Sequence, residues 1–407
     1  MTGPAIGAVE TGRSRVASAA RELRDRVTGG SLGSLPVVIG LVLIWAVFQA
    51  LNPSFLSADN LVNLTLQCAA VGTIAIGIVL VLLLGQIDLS VGSVSGLAAA
   101  ILGVGLTQLG WPLALTILVA LLAGVAIGLL YGVLFTRFGV PSFIITLAGL
   151  LGVLGLQLKV LGPAGSINIP PESPIVLFAQ SWFLPPWLAY LLAALWAGAM
   201  FLSAVLRQRR RIRAELPTSS LGWQAAKAGG LLLLCAAAVS YLATDRGVGV
   251  MFVFFIALVI VMDVVLTRTV WGREVYAVGG SVEAARRAGI RVNRVYISVF
   301  VLCSCFAVVG GILAAGRLSS VTLSSGAGDT NLNAIAAAVI GGTSLFGGRG
   351  SAWSALLGIA VIQSISNGLT LLTLDSSIRY MITGGVLLLA VIIDSLSRRS
   401  RAAHGQA

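Results

Sequence analysis

The side chains that could do chemistry in this chain are few and unevenly placed. The single histidine, His404, lies three residues from the C-terminus. The four cysteines, Cys68, Cys235, Cys303 and Cys305, all sit inside apolar runs. Cys303 and Cys305 are two apart, so on a helix they point in different directions. This supply offers no metal site and no nucleophile–base pair, and the cysteines read as small buried hydrophobes. The two lysines, Lys159 and Lys227, follow Leu158 and Ala226. Neither ends a glycine-rich run of the kind that cradles nucleotide phosphates. No catalytic residue, metal ligand or resident cofactor is expected, and the remaining chemistry is hydrogen bonding at membrane depth.

The most conspicuous polar stretch is Gly85-Gln86-Ile87-Asp88-Leu89-Ser90-Val91-Gly92-Ser93, which interrupts an apolar run from 64 to 107. A carboxylate at the centre of a bilayer costs about 2.5–3.5 kcal/mol on insertion scales, so Asp88 needs a reason to be there. One reading is a tight loop at a helix end, with Asp88 or Ser90 capping the next helix. The other is an unwound stretch lining a permeation path. A second interruption, Gly341 to Ser351, is also rich in glycine and hydroxyls and hints at two related halves. Gln67, Gln157, Asn331, Asn333, Gln363 and Asn367 complete the intramembrane polar set. Such groups can bond a polyhydroxylated ligand, and they can equally bridge neighbouring helices. Asp263 and Asp394 sit near helix ends and read as interfacial.

The elements that must hold these groups follow from composition. Of 407 residues, 57% are hydrophobic and 10% charged, with a net charge of +12 and a mean hydropathy of +1.01. A soluble domain carries about 25% charged residues, which excludes a soluble enzyme or a disordered chain. Twelve apolar segments approach the length of about 20 residues that a spanning helix needs. They lie near 35–51, 64–84, 91–107, 113–135, 142–161, 187–206, 223–243, 250–267, 295–316, 332–345, 352–372 and 378–394. The segments at 91–107 and 332–345 are short and rich in Gly and Ala, and read as tilted, broken or re-entrant. With both termini in the cytoplasm, 22 of the 26 basic residues fall on the cytoplasmic side, and only Lys159, Arg246, Arg317 and Arg379 stay outside. That split is the positive-inside pattern, so the charge labels topology and does not point to nucleic acid. The expected fold is an all-α polytopic membrane protein of about twelve helices. It has cytoplasmic tails at 1–34 and 397–407, a transmembrane region at 35–396 and a basic connector at 207–222. The first 34 residues lack a signal-peptide cleavage pattern and read as a tail.

Two further loops are long. Residues 162–186 hold six of the twelve prolines together with Phe178, Trp182 and Phe183. This segment reads as an external lid or as a docking surface for an external partner. Residues 268–294 carry a clearer pattern. Gly279-Gly280 is expected to turn the chain, Ser281 to cap a short helix to Ala288, and Gly289 to end it. Glu283 in the first turn and Arg286 and Arg287 in the last suit the helix dipole. Ala284, Ala285 and Ala288 leave a small-residue face that could enter a partner's groove. The plain alternative is a solvated basic loop that only sets topology.

In order along the chain stand GQIDLSVGS (85–93), VPSFIITLAGL (140–150), GREVYAVGGSVEAARRAGI (272–290) and AIAAAVIGGTSLFGGRGS (334–351). With these four motifs the chain resembles the sugar permeases of ATP-binding-cassette importers, the ribose and xylose type, over residues 36–396. The xylose-type members are the most similar, because they carry an extra hydrophobic pair, here 187–243. The resemblance implies the permease fold and a homodimer in the bacterial inner (plasma) membrane. Its implied partners are a cytoplasmic ATPase dimer, which holds ATP and Mg²⁺, and an extracytoplasmic sugar-binding protein. The substrate it implies is a monosaccharide, D-xylose first. It assigns ATPase coupling to Gly272, Arg273, Glu274, Tyr276, Gly279, Gly280, Ser281, Glu283, Ala284, Ala285 and Gly289. The translocation path is expected at Gln86, Asp88, Ser90, Ser93, Asn331 and Asn367. A stand-alone secondary transporter or channel for a small polar solute is the rival reading.

Overall fold

The computed structural model describes residues 35–215, 221–326 and 329–375, with individual positions between 377 and 392. The two tails, positions 216–220 of the basic connector, and part of the segment expected at 378–394 lie outside the described residues, as do Asp394 and His404. The helices are α1 (Leu35–Leu51), α2 (Ala58–Leu83), α3 (Val91–Gly103), α4 (Leu113–Phe138) and α5 (Ser142–Leu161). They continue with α6 (Pro186–Arg213), α7 (Leu221–Leu242), α8 (Val250–Arg268), α9 (Val270–Gly280) and α10 (Val282–Arg287). The last are α11 (Val292–Leu318), α12 (Asp329–Ile340) and α13 (Ala352–Leu371). Among the described residues, nine helices are long and apolar enough to cross a membrane.

Helix α11 is the axis of the bundle, packed along α2, α3 and α4. Its contact with α4 is unusually close because α4 presents Gly124, Gly128 and Gly132 four residues apart on one stripe. A Cβ at Gly128 would stand 2.6 Å from the Phe300 carbonyl oxygen, and one at Gly132 would stand 2.7 Å from the Ile297 Cα. Helix α2 is buried over 89% of its apolar stretch, which is why it is apolar all round and not amphipathic. By contrast α4 turns Leu115, Leu118, Leu122 and Leu129 outward, as a lipid-facing helix must.

The two short segments resolve differently. Helix α3 runs on as a π-type turn, Val104–Gln108, and reaches 18 residues. The segment expected at 332–345 is only a half-span: α12 has 12 residues, about 18 Å of helix, and ends at Ile340. The reason lies just before it. After α11, residues 320–322 form strand β2, antiparallel to β1 (Ser166–Asn168), with Ile167 opposite Val321. The chain then doubles back along α3, so that Val321 meets Gly103, Ser325 meets Gly96 and Gly326 meets Gly92. Helix α12 therefore begins inside the bundle and not at its edge.

The 162–186 segment has short regular elements within it. It contains β1, a helical turn at Pro174–Val176 and a π-type turn at Leu177–Ser181. Gln180 pins it to the end of α11 by donating to the Arg317 carbonyl (2.8 Å) and Ser319 Oγ (2.7 Å). Phe178 packs edge-on against Phe254, while Trp182 is half exposed.

Candidate functional site

At one end of the bundle the 268–294 segment folds as two helices, not a loop. Thr269 caps α9, its Oγ1 accepting from Gly272 N–H at 3.1 Å. Gly272, Val275 and Val278 are buried on one side, while Arg273, Ala277 and Gly280 face outward. Trp271 donates to Ser298 Oγ at 2.8 Å and so anchors α9 to α11. Ser281 then caps α10, accepting from Ala284 N–H at 3.3 Å. Gly289, at φ +81°, closes α10 in a Schellman motif: Ile290 N–H donates to Ala285 O and Gly289 N–H to Arg286 O.

Two details differ from expectation. Gly279-Gly280 is not a turn but the last two residues of α9, with the bend delayed to Ser281, whose extended backbone (φ −160°) starts the next helix. The expected alanine face is also split. Ala285 is buried within this chain, leaving Ala284 and Ala288 exposed. What α10 offers outward is therefore mainly charge. Glu283 and Arg287 are about 85% exposed and 3.8 Å apart, with Arg286 beside them.

Gly279 has a packing reason. Three glycine-bearing segments meet there: Gly85 after α2, Gly279 in α9 and Gly347-Gly348 between α12 and α13. Gly348 N–H donates to the Leu83 carbonyl at 2.9 Å. A Cβ on Gly279 would land on the Leu83 oxygen and stand 2.8 Å from Gly348 N, whereas one on Gly280 would meet nothing within 4 Å. Tyr276 donates to Gly350 O at 2.8 Å. Burial, and secondarily the Asp263 carboxylate, raise its phenol above the ordinary range, so it remains a donor at neutral pH. Helix α9 thus touches both interruptions at once.

The residues expected on a path are brought together around the first interruption. Gln86 sits at the start of this stretch, next to the positive-φ Gly85 that follows α2. Asp88 is 1% exposed and holds the turn into α3 by accepting from Ser90 N–H (2.8 Å) and Ser90 Oγ–H (2.7 Å). The Cys303 thiol is 3.7 Å from its other oxygen. Ser93 donates to Leu150 O at 2.8 Å, and Asn331 donates to Leu89 O at 2.7 Å. These groups brace α3 against α5 and α12, and none of the five lines the main cavity. Asn367 does line it, but its amide is paired reciprocally with Asn60, at 2.8 and 2.9 Å. Gln157 likewise holds the returning chain, donating to Ser325 O at 2.9 Å.

The cavity, about 420 Å³, lies toward the opposite end, between α2, α3, the end of α11, the returning chain and α13. Its wall carries Gln67, Ser95, Arg317, Thr322, Asp329 and Gln363. Among the described residues, the side chains of Gln67, Gln363, Arg317 and Asp329 have no hydrogen-bond partner and are available to a ligand. Two carboxamides, hydroxyls and one charge of each sign suit a small neutral polyol. Arg317 and Asp329 were not singled out in the sequence. A cation in the last turn of a spanning helix is the signal that marks Arg317. The four cysteines are free.

Residues 60–391 match the family described as branched-chain amino acid transport system / permease component. The chain is 34% identical over 367 residues to the xylose transport system permease protein XylH of Escherichia coli (strain K12), covering 89% of this chain and 90% of the relative. It is 32% identical to the XylH of Haemophilus influenzae, covering 89% and 96%. To the ribose import permease protein RbsC of Bacillus subtilis (strain 168) it is 28% identical, covering 90% and 94%. No solved structure matches.

Proposed function

Because the chain belongs to the family of branched-chain amino acid transport system permease components, we propose that it is the membrane-spanning subunit of an ATP-binding-cassette importer for a monosaccharide, D-xylose first. It is an integral protein of the bacterial inner membrane. The relatives named for xylose and ribose support a pentose cargo. The observation that carries the reading is the capped, outward-facing α10, joined through α9 to both chain interruptions. A transporter working alone has no need of such a platform.

On this reading the 268–294 end faces the cytoplasm and an ATPase dimer. ATP and Mg²⁺ bind there, and this chain makes and breaks no covalent bond. Two copies of the permease form the pathway, and an extracytoplasmic binding protein delivers sugar to the cavity bearing Gln67, Arg317, Asp329 and Gln363. Closure of the ATPases displaces α10. Helix α9 passes the displacement to Leu83 and Gly348, and so to the ends of α2, α12 and α13 together. Motion at those ends closes the cavity on one side and opens it on the other, by shifting the population between two packings of the same bundle. The buried Asp88 turn keeps the start of α3 rigid while this happens. The reading is tested by uptake into proteoliposomes holding the permease and its ATPase. It predicts uptake only with ATP inside the compartment that holds the ATPase, and transport by the purified chain alone overturns it.

A further inference from the structure

The hairpin of α6 and α7 plays no part in this machinery. Its two apolar stretches are only 11% and 6% buried. It leans on the bundle through Trp196 against Trp353 and through Tyr241, which donates to Leu56 O. Most of it therefore faces lipid. From Pro186 to Leu206 the helix rises about 31 Å, which matches the hydrocarbon thickness of a bilayer. It does not stop there. Arg207, Arg209, Arg210, Arg211 and Arg213 continue the same helix, about 10 Å beyond the hydrocarbon, at headgroup depth. All five are exposed, and among the described residues none pairs with a carboxylate. Glu215, the nearest acid in sequence, is exposed and makes no ion pair among the described residues.

At 100° per residue the five guanidinium stems cover an arc of about 200°. The face left over carries the half-buried Gln208 and the exposed Ile212. So broad an arc does not fit a single protein groove, and it does fit a surrounding layer of anions. The other leg supplies the matching interfacial pair. Trp223 is 59% exposed, and the Lys227 Nζ stands 5.2 Å from its ring centroid, one turn deeper. Aromatic and cationic residues together at this depth are the signature of the headgroup layer.

We propose that the cationic end of this hairpin, Arg207 to Arg213 with Lys227, is a binding site for the phosphate headgroups of anionic phospholipids. Arginine holds phosphate by paired hydrogen bonds as well as charge, and bound lipids fasten to the bundle a hairpin that packing alone holds loosely. The site is independent of which solute is carried.

The test uses the purified full chain with equimolar phosphatidylglycerol and phosphatidylcholine, and counts retained lipids by native mass spectrometry. Each engaged arginine contributes about a five-fold preference, so two engaged arginines give the wild type a preference of about 25-fold for the anionic lipid. Replacing the five arginines by glutamine brings the ratio to near parity, while five lysines retain most of it. In the wild type, raising NaCl from 0.1 to 0.5 M weakens the preference, which needs no variant to fold. Inorganic phosphate at 10 mM leaves it intact, because the lipid surface presents many headgroups at once. Parity in the wild type, an unchanged ratio in a glutamine variant of normal elution volume, or displacement by free phosphate would each overturn the proposal. A cluster that only orients the hairpin during insertion gives that unchanged ratio.

Discussion

Two adjacent glycines in α9 supply a sharp test of how the platform connects to the bundle. Gly279→Ala adds one methyl group where there is no room: it would strike the Leu83 carbonyl oxygen and stand 2.8 Å from the Gly348 nitrogen. Both obstacles are backbone, so no side chain can swing aside. Either α9 lifts away or the Gly348–Leu83 hydrogen bond breaks. Overpacking costs about 1–3 kcal/mol and a lost hydrogen bond about 1 kcal/mol, so whichever gives way the junction loses roughly 1–3 kcal/mol. Gly280→Ala adds the same methyl group with nothing within 4 Å. Both changes gain the same helix propensity, up to about 1 kcal/mol, so the difference between them isolates the contact. If motion of α10 reaches the membrane through this junction, Gly279→Ala lowers ATP-driven uptake at least tenfold, about 1.4 kcal/mol of coupling. ATPase capture and ATP turnover by the assembled complex stay within about twofold. Gly280→Ala transports as the wild type does. Paired uptake and phosphate-release assays on the same proteoliposomes measure both quantities. Equal behaviour of the two variants, in either direction, refutes the junction as the route.

Other predictions follow from single contacts. Glu283→Arg reverses an exposed charge at the N-terminal turn of α10; it is expected to reduce ATPase capture and uptake together while membrane insertion, read by protease protection, is unchanged. Ser281→Ala removes the α10 cap and is expected to destabilise that helix by about 0.5–2 kcal/mol, seen as faster hydrogen exchange across 282–288. Arg317→Leu removes the cavity's cation and is expected to raise the half-saturating load of binding protein several-fold with ATP turnover retained. Asn60 and Asn367 bond each other in both directions. A double-mutant cycle to alanine in thermal denaturation is therefore expected to show a coupling of at least 0.5 kcal/mol, and additivity would return Asn367 to the ligand.

Much of this architecture is legible in the residues. The apolar runs mark nearly every helix, and the Ser281–Gly289 pattern specifies α10 and both its caps. That succeeds because length, capping and hydropathy are local properties. The boundaries fail where polar residues continue a helix beyond the membrane, as at Arg207–Arg213. Gly279-Gly280 looks like a turn in isolation because a glycine pair usually is one; its helical state is decided by Leu83 and Gly348, about 200 and 70 residues away. The half-span at α12 is marked by its short Gly- and Ala-rich run, but its start inside the bundle is set by the returning chain against α3, a tertiary fact. The path residues teach a related lesson. Asp88 stands out because a buried carboxylate is costly, yet that cost is met by Ser90 two residues on. Arg317 and Asp329, at the edges of apolar segments, look like ordinary boundary charges until the fold puts them on one cavity wall.

The central claim is that this chain moves a sugar only when an ATPase pushes on α10. Its most direct measurement is radiolabelled xylose uptake into proteoliposomes containing the permease, its ATPase and its binding protein, with ATP supplied to the ATPase side. The expected result is accumulation that requires all three proteins and ATP and is lost on omitting the ATPase. Accumulation or exchange by the permease alone, with or without an ion gradient, would contradict it.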